Sequence, residues 1–324
     1  MKIRSSLSAC YYLFICCFLI LNTSCSKEVS EQDELQQSEN EQEIPIDNVA
    51  RLEAKDLYSN YYLASQTSTA DMAWTGDEPS CDPGTIPEST KTKILQRIEY
   101  YRNAVGLNNV ISENISKSDK AQWAALLMNA NNDLDHDPPS SWKCYTNEGN
   151  EGAGNSLLTM SKNAEAIDSY IRDLGADNGP VGHRRWLLWP RLQEIGIGNT
   201  NRSNAIWVLG NAGSPPADSP EFISWPPEGY VPNRLVFPRW SFSIAGANFS
   251  NTTISMQDEG GNNINLQIEP LSNSYGDRTI VWIPESINTN STADTAYTIV
   301  LNDVEIDGEL MDYSYQVILF DPNN

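Results

Sequence analysis

Histidine is almost absent from this chain: 324 residues hold two, His136 and His183. Basic residues are scarce as well, with 21 Lys and Arg against 43 Asp and Glu, a formal charge of −22. A surface of that sign repels a phosphate backbone, which excludes nucleic acid as a partner. The common catalytic motifs are missing. There is no HExxH run for a zinc hydrolase and no GxSxG elbow for a serine nucleophile. The glycine pairs in "GAGNS" and "GIGNTNR" lack the lysine and the strand–loop–helix setting of a phosphate loop, so they read as turns. No internal repeat occurs, and the run "YYLFICCFLILN" is too short to span a bilayer.

What is present begins with that run. It follows Lys2 and Arg4 and leads to "LNTSCSKE", the layout of a leader over residues 1–25. Its end resembles a bacterial lipoprotein signal, in which Cys25 becomes the acylated first residue; Lys27 and Glu28 resemble the export tag of some outer-membrane surface lipoproteins. The resemblance implies an outer-membrane lipoprotein, surface-exposed and held to the membrane by lipid chains without a spanning helix. Residues 26–46 carry seven acids against one lysine, so burial cannot offset the entropy of ordering them, and they read as a disordered acidic tether. Residues 47–84 form an N-terminal extension of mixed pattern. With Cys25 lipidated and the leader removed, Cys81 and Cys144 remain; export favours their oxidation to one disulfide, the alternative being two buried thiols.

From Pro87 the periodicity is helical. Ile94, Ile98, Tyr101 and Val105 share one face, and Gly106 is placed to end that helix. Ser116 can cap a second helix carrying Ala121, Ala125 and Met128, which "DPP" stops beyond His136. A third starts near Asn163, buries Ile167, Tyr170, Ile171 and Leu174, and ends at Gly175. Pro180 opens a short fourth that carries His183. "EIGIG" and "NAIWVLG" read as strands. Residues 213–232 hold six prolines and read as a linker. After them the period falls to two, in Trp240, Phe242 and Ile244 and again in Tyr313, Tyr315, Val317 and Leu319, giving about seven strands of an Ig-like β-sandwich over 233–324.

The succession "RIEYYRNAVGL", "LDHDP", "NAEAIDSYIRD" and "GHRRWLLWPRLQEIGIG" resembles the bacterial lipoprotein branch of the CAP superfamily of cysteine-rich secretory proteins, antigen 5 and pathogenesis-related 1 proteins, over residues 85–212. The resemblance implies an α+β fold: a CAP-type α-β-α sandwich, followed here by the C-terminal β-sandwich. It also implies a cleft where two histidines and two acids meet. His136 and His183 match the histidines. The acids transfer in part: Asn155 stands where a glutamate is expected, Glu148 and Glu151 are near but out of register, and Asp173 falls near the second acid.

Two imidazoles converging on one cleft can hold zinc or another divalent cation with water completing the shell. Alternatively His183 hydrogen-bonds to His136 and fixes two helices. Arg184, Arg185 and Arg191 read as partners of Asp173, Asp177 or Glu194, and Trp186 and Trp189 as packing. Three functions follow. The first is a surface-anchored, non-catalytic binding protein for a small or apolar ligand, or for an extracellular protein or glycan, through a cleft of His136, His183, Glu151, Asn155 and Asp173. The second is a metal-dependent hydrolase of an extracellular polymer. The third is adhesion or assembly through the β-sandwich.

Overall fold

Four short strands set the architecture of the N-terminal half: β1 (Ser112–Glu113), β2 (Ser156–Thr159), β3 (Glu194–Asn199) and β4 (Asn204–Trp207). The computed structural model describes residues 48–68, 71 and 73–324, so the expected leader, Cys25 and the acidic tether lie outside the described residues. The strands pair in the order β1-β3-β4-β2, with β1 and β3 parallel and the other pairs antiparallel. Strand alternation divides their side chains between two helix layers. Leu157 and Ile206 enter the core beneath α2 (Glu88–Ala104) and α5 (Glu165–Arg172), whereas Leu158, Ala205 and Trp207 pack with α3 (Ile115–Asn131) and α4 (Asn147–Asn155). The result is an α-β-α sandwich.

Helix ends differ from the sequence expectation in ways that matter. Asn114, not Ser116, caps α3, accepting from the Lys117 N–H at 3.2 Å. The helix ends where Asn132 turns left-handed at φ +50°, four residues ahead of His136, which therefore sits on a loop. The α5 helix ends where Asp173 adopts φ +50°, leaving Leu174 52% exposed rather than buried.

The α4 helix was not expected, because "NEGNEGAGN" has the glycine content of a loop. Thr146 caps it through the Gly149 N–H at 2.9 Å. Its glycines serve close approach. A Cβ on Gly152 would lie 2.2 Å from the Lys120 carbonyl oxygen of α3, so the two helices can touch only if that position is bare. The same holds at Gly198 of β3, whose Cβ would meet the Ala121 carbonyl at 2.0 Å.

The C-terminal half is a β-sandwich of two four-stranded sheets. One runs β5 (Ile223–Trp225), β7 (Trp240–Ile244), β10 (Arg278–Pro284), β9 (Leu266–Ile268); the other runs β6 (Gly229–Pro232), β12 (Glu309–Phe320), β11 (Thr295–Ile306), β8 (Thr253–Asp258). The expected linker at 213–232 thus contains β5 and β6, one edge strand for each sheet. Five of the six prolines flank these strands, and the sixth, Pro232, ends β6 at a sheet edge, where proline is tolerated. Trp240, Phe242, Ile244, Trp282, Tyr315 and Val317 fill the core between the sheets.

The two halves share a core. Ile223, Trp225, Leu235 and Phe237 belong to the apolar cluster built by α2, α5 and the small sheet, with the Trp225 ring 5.0 Å from Tyr101. The final helix, α6 (Gly182–Leu187), lies along this junction. The α1 helix (Asn48–Leu57) ties the extension to the sandwich, with Arg51 paired to Asp294 at 2.8 Å and Lys55 Nζ donating to the Asn324 carbonyl at 2.5 Å. Cys81 and Cys144 form the expected disulfide, whose 63-residue separation corresponds to ~4 kcal/mol in the loop-entropy account.

Candidate functional site

His183 begins α6, one residue after Gly182, and its surroundings follow from how α5 ends. The left-handed turn at Asp173 brings that carboxylate back to α6. One oxygen accepts from the His183 Nδ1 at 2.7 Å and the other from the His183 backbone N–H at 3.0 Å. The Asp173 side chain is fully buried, while the His183 side chain is 21% exposed. Tyr170 packs beside the imidazole with ring centroids 5.5 Å apart, and its hydroxyl is held by Leu157 and Asn204. With Nδ1 donating to Asp173, Nε2 is the nitrogen that carries the lone pair in the neutral imidazole.

His136 is set the same way by different means. Its Nδ1 lies 2.9 Å from the Ala153 carbonyl of α4, an oxygen that can only accept, so Nδ1 carries a proton and, in the neutral imidazole, Nε2 the lone pair. Both histidines line one cleft of about 380 Å³, together with Asn155, Ser156, Trp186 and Tyr275. No hydrogen bond joins the two rings among the described residues; each takes its Nδ1 partner from its own side.

The acids distribute differently. Asp173 orients His183 from behind and does not line the cleft. Asn155 does line it, and donates its side-chain N–H to the Glu151 carbonyl at 2.8 Å. Glu151 points away: its carboxylate meets Lys120 at 2.5 Å in solvent, outside the cleft lining. Asp177 is the carboxylate present in the wall. Among the described residues no group of three or more His, Cys, Asp or Glu side chains is close enough to hold a metal ion.

The arginines correct another expectation. None pairs with Asp173, Asp177 or Glu194. Arg184 is buried and donates to the carbonyls of Ile171 at 2.7 Å and Arg239 at 2.9 Å and to the Ser241 hydroxyl. Arg185 donates to the carbonyls of Ser272 at 3.1 Å and Asp277 at 2.8 Å. Burial pushes both guanidiniums down, to about 10. Arg191 donates to the Gly213 carbonyl, and Glu194 pairs instead with Lys117 at 3.1 Å. A guanidinium carries five donors in a fork, which suits loop carbonyls as well as a carboxylate. Arg184 and Arg185 thereby bolt α6 to the sandwich.

From the other side, Arg239 donates to the carbonyls of Asp173 and Gly175, both at 2.8 Å, and pairs with Glu269 at 2.9 Å. The residue that orients His183 is therefore itself held by the C-terminal half. Trp189 follows suit, its indole N–H donating to Asp277 at 3.0 Å.

Residues 95–209, which supply α5, α6, both histidines and the small sheet, match the CAP model, described as the cysteine-rich secretory protein family. This segment is a CAP domain. No curated protein matches the chain. Missed by sequence reasoning were Ser156 and the two cleft residues outside the CAP domain, Ser274 and Tyr275. They sit in the loop between β9 and β10, about 90 positions beyond His183, and no local signal links them to it.

Proposed function

We propose that the chain is a non-catalytic binding protein of the cell exterior, held at the outer-membrane surface through lipid on Cys25, that takes a ligand and a divalent cation such as zinc in the cleft of its CAP domain. A CAP domain points in general to extracellular binding or signalling. The observation that carries the finer reading is the matched state of the two imidazoles. Each has its Nδ1 proton committed to an oxygen, Asp173 or Ala153, so each offers Nε2 in the form a metal accepts.

The donor set fits a weak, exchangeable site. Two imidazoles with water completing the shell fall short of the three protein ligands of a zinc hydrolase. Among the described residues the general base such an enzyme needs comes down to Asp177 in the cleft wall: Glu151 is engaged by Lys120 and Asp173 by His183, and Asn155 cannot take a proton. Those arrangements favour binding over hydrolysis.

Calorimetric titration with zinc tests the reading. Binding in the micromolar range is expected for the wild type and should vanish in His183→Ala and in His136→Ala. Heat that persists unchanged in both variants would refute a two-histidine site.

A further inference from the structure

The residues that line the cleft beside the histidines identify the kind of ligand. Ser156 lines the cleft, is 4% exposed, and its hydroxyl has no hydrogen-bond partner among the described residues. A buried hydroxyl left unmatched is costly, and a site that keeps one gains from a partner that arrives with the ligand. The same cleft is lined by Asn155, whose side-chain oxygen is not used by the Glu151 contact, and by Asn178, both uncharged. A purely apolar ligand would strand these groups. Among the described residues no Lys or Arg lines the cleft, Asp177 does, and the chain as a whole carries −22, so an anionic ligand is disfavoured too.

Two aromatic residues, Trp186 and Tyr275, complete the walls. Tyr275 comes from the sandwich. It lies so close to α6 that a Cβ on Gly182, the residue before His183, would sit 3.0 Å from its ring. The loop that carries it is held on both sides of the tyrosine, by Arg185 on the Ser272 and Asp277 carbonyls and by Trp189 on the Asp277 carboxylate. Tyr275 is thus a fixed part of the cleft although it belongs to the other half of the molecule.

We propose that this cleft binds one ring of an uncharged saccharide, with the Ser156 hydroxyl bonding a ligand hydroxyl or amide and Tyr275 packing against the C–H face of the ring. An uncharged pyranose combines the required properties: apolar faces, hydroxyl edges and no net charge. A cleft of about 380 Å³ takes a small ligand or one unit of a longer chain rather than a folded partner. The proposal rests on the reading that the cleft is the binding site, and it makes the β-sandwich a determinant of specificity rather than a spacer.

The test titrates the full chain with the β-1,4-linked trimers of N-acetylglucosamine and of glucose, and with a trimer of a uronic acid. At least one neutral trimer should bind with Kd below ~1 mM, and the uronic acid trimer about tenfold more weakly or not at all. Ser156→Ala should weaken binding about tenfold while leaving the melting temperature unchanged or raised, since it removes an unmatched hydroxyl; a purely structural serine would give the opposite pair of results. Tyr275→Ala should weaken binding about tenfold and Tyr275→Phe should retain it. Glu151→Gln, outside the cleft, should bind as wild type. Failure of both neutral trimers overturns the proposal, whether or not zinc binds, as does binding indifferent to Ser156→Ala and Tyr275→Ala. Trimer binding without zinc binding upholds it and removes the metal from the function proposed above.

Discussion

Ending the chain at residue 212 should unfold the CAP domain rather than liberate it. The truncation removes Ile223, Trp225, Leu235 and Phe237 from the core they share with α2 and α5. At ~1.5–3 kcal/mol for each buried apolar side chain, the loss is about 6–12 kcal/mol. That figure is an upper estimate, because unfolded chains already bury some apolar surface. It is nevertheless comparable to the ~5–15 kcal/mol that holds a whole domain folded. The same cut takes away the Arg239 carbonyl and the Ser241 hydroxyl that receive the buried Arg184 guanidinium, and the Arg239 side chain that holds the Asp173 carbonyl. Guanidinium denaturation followed by near-UV circular dichroism should show one cooperative transition for residues 48–324 and none for 48–212. Trp225→Ala in the full chain grades the effect, with an expected cost of ~3–5 kcal/mol and both halves melting together. A 48–212 fragment that unfolds cooperatively with a midpoint near that of the full chain would refute the shared-core account.

Two further outcomes follow from the site and its supports. Asp173→Ala should reduce zinc affinity by about 10- to 100-fold by releasing the imidazole orientation, and should cost ~1–3 kcal/mol of stability through the lost hydrogen bonds; unchanged affinity in a folded variant would sever Asp173 from the site. Gly152→Ala should destabilise the protein by ~1–3 kcal/mol or more, because the added Cβ meets the Lys120 carbonyl. Gly154→Ala, whose nearest neighbour, the His136 carbonyl, lies 3.3 Å from the added Cβ, serves as the milder comparison in thermal unfolding.

The periodic elements were legible without coordinates. Ile94, Ile98 and Tyr101 on α2, and the alternating aromatics of β7 and β12, announce their faces because a helix repeats near 3.6 and a strand at 2. The elements that escaped were those whose residues contradict local preference. The α4 helix is rich in glycine because α3 must approach it, a requirement that lives on α3. The edge strands β5 and β6 are flanked by prolines that resemble a linker until the sheets they border are known. The acids of the cleft were misplaced for a related reason: Glu151 and Asp173 are near the histidines in the chain, but one faces Lys120 and the other stands behind His183.

By itself, then, the amino-acid order determined the α+β layout, the disulfide partners, and the two histidines as the residues to watch, since scarcity, spacing and periodicity are properties of the chain. Only the tertiary structure decided that both histidines line one cleft with each Nδ1 held from its own side, that the Ser156 hydroxyl has no partner among the described residues, and that Tyr275 from the sandwich forms part of the wall. Those facts depend on which backbone passes close to which, and packing between segments about 90 residues apart leaves no mark on either one alone.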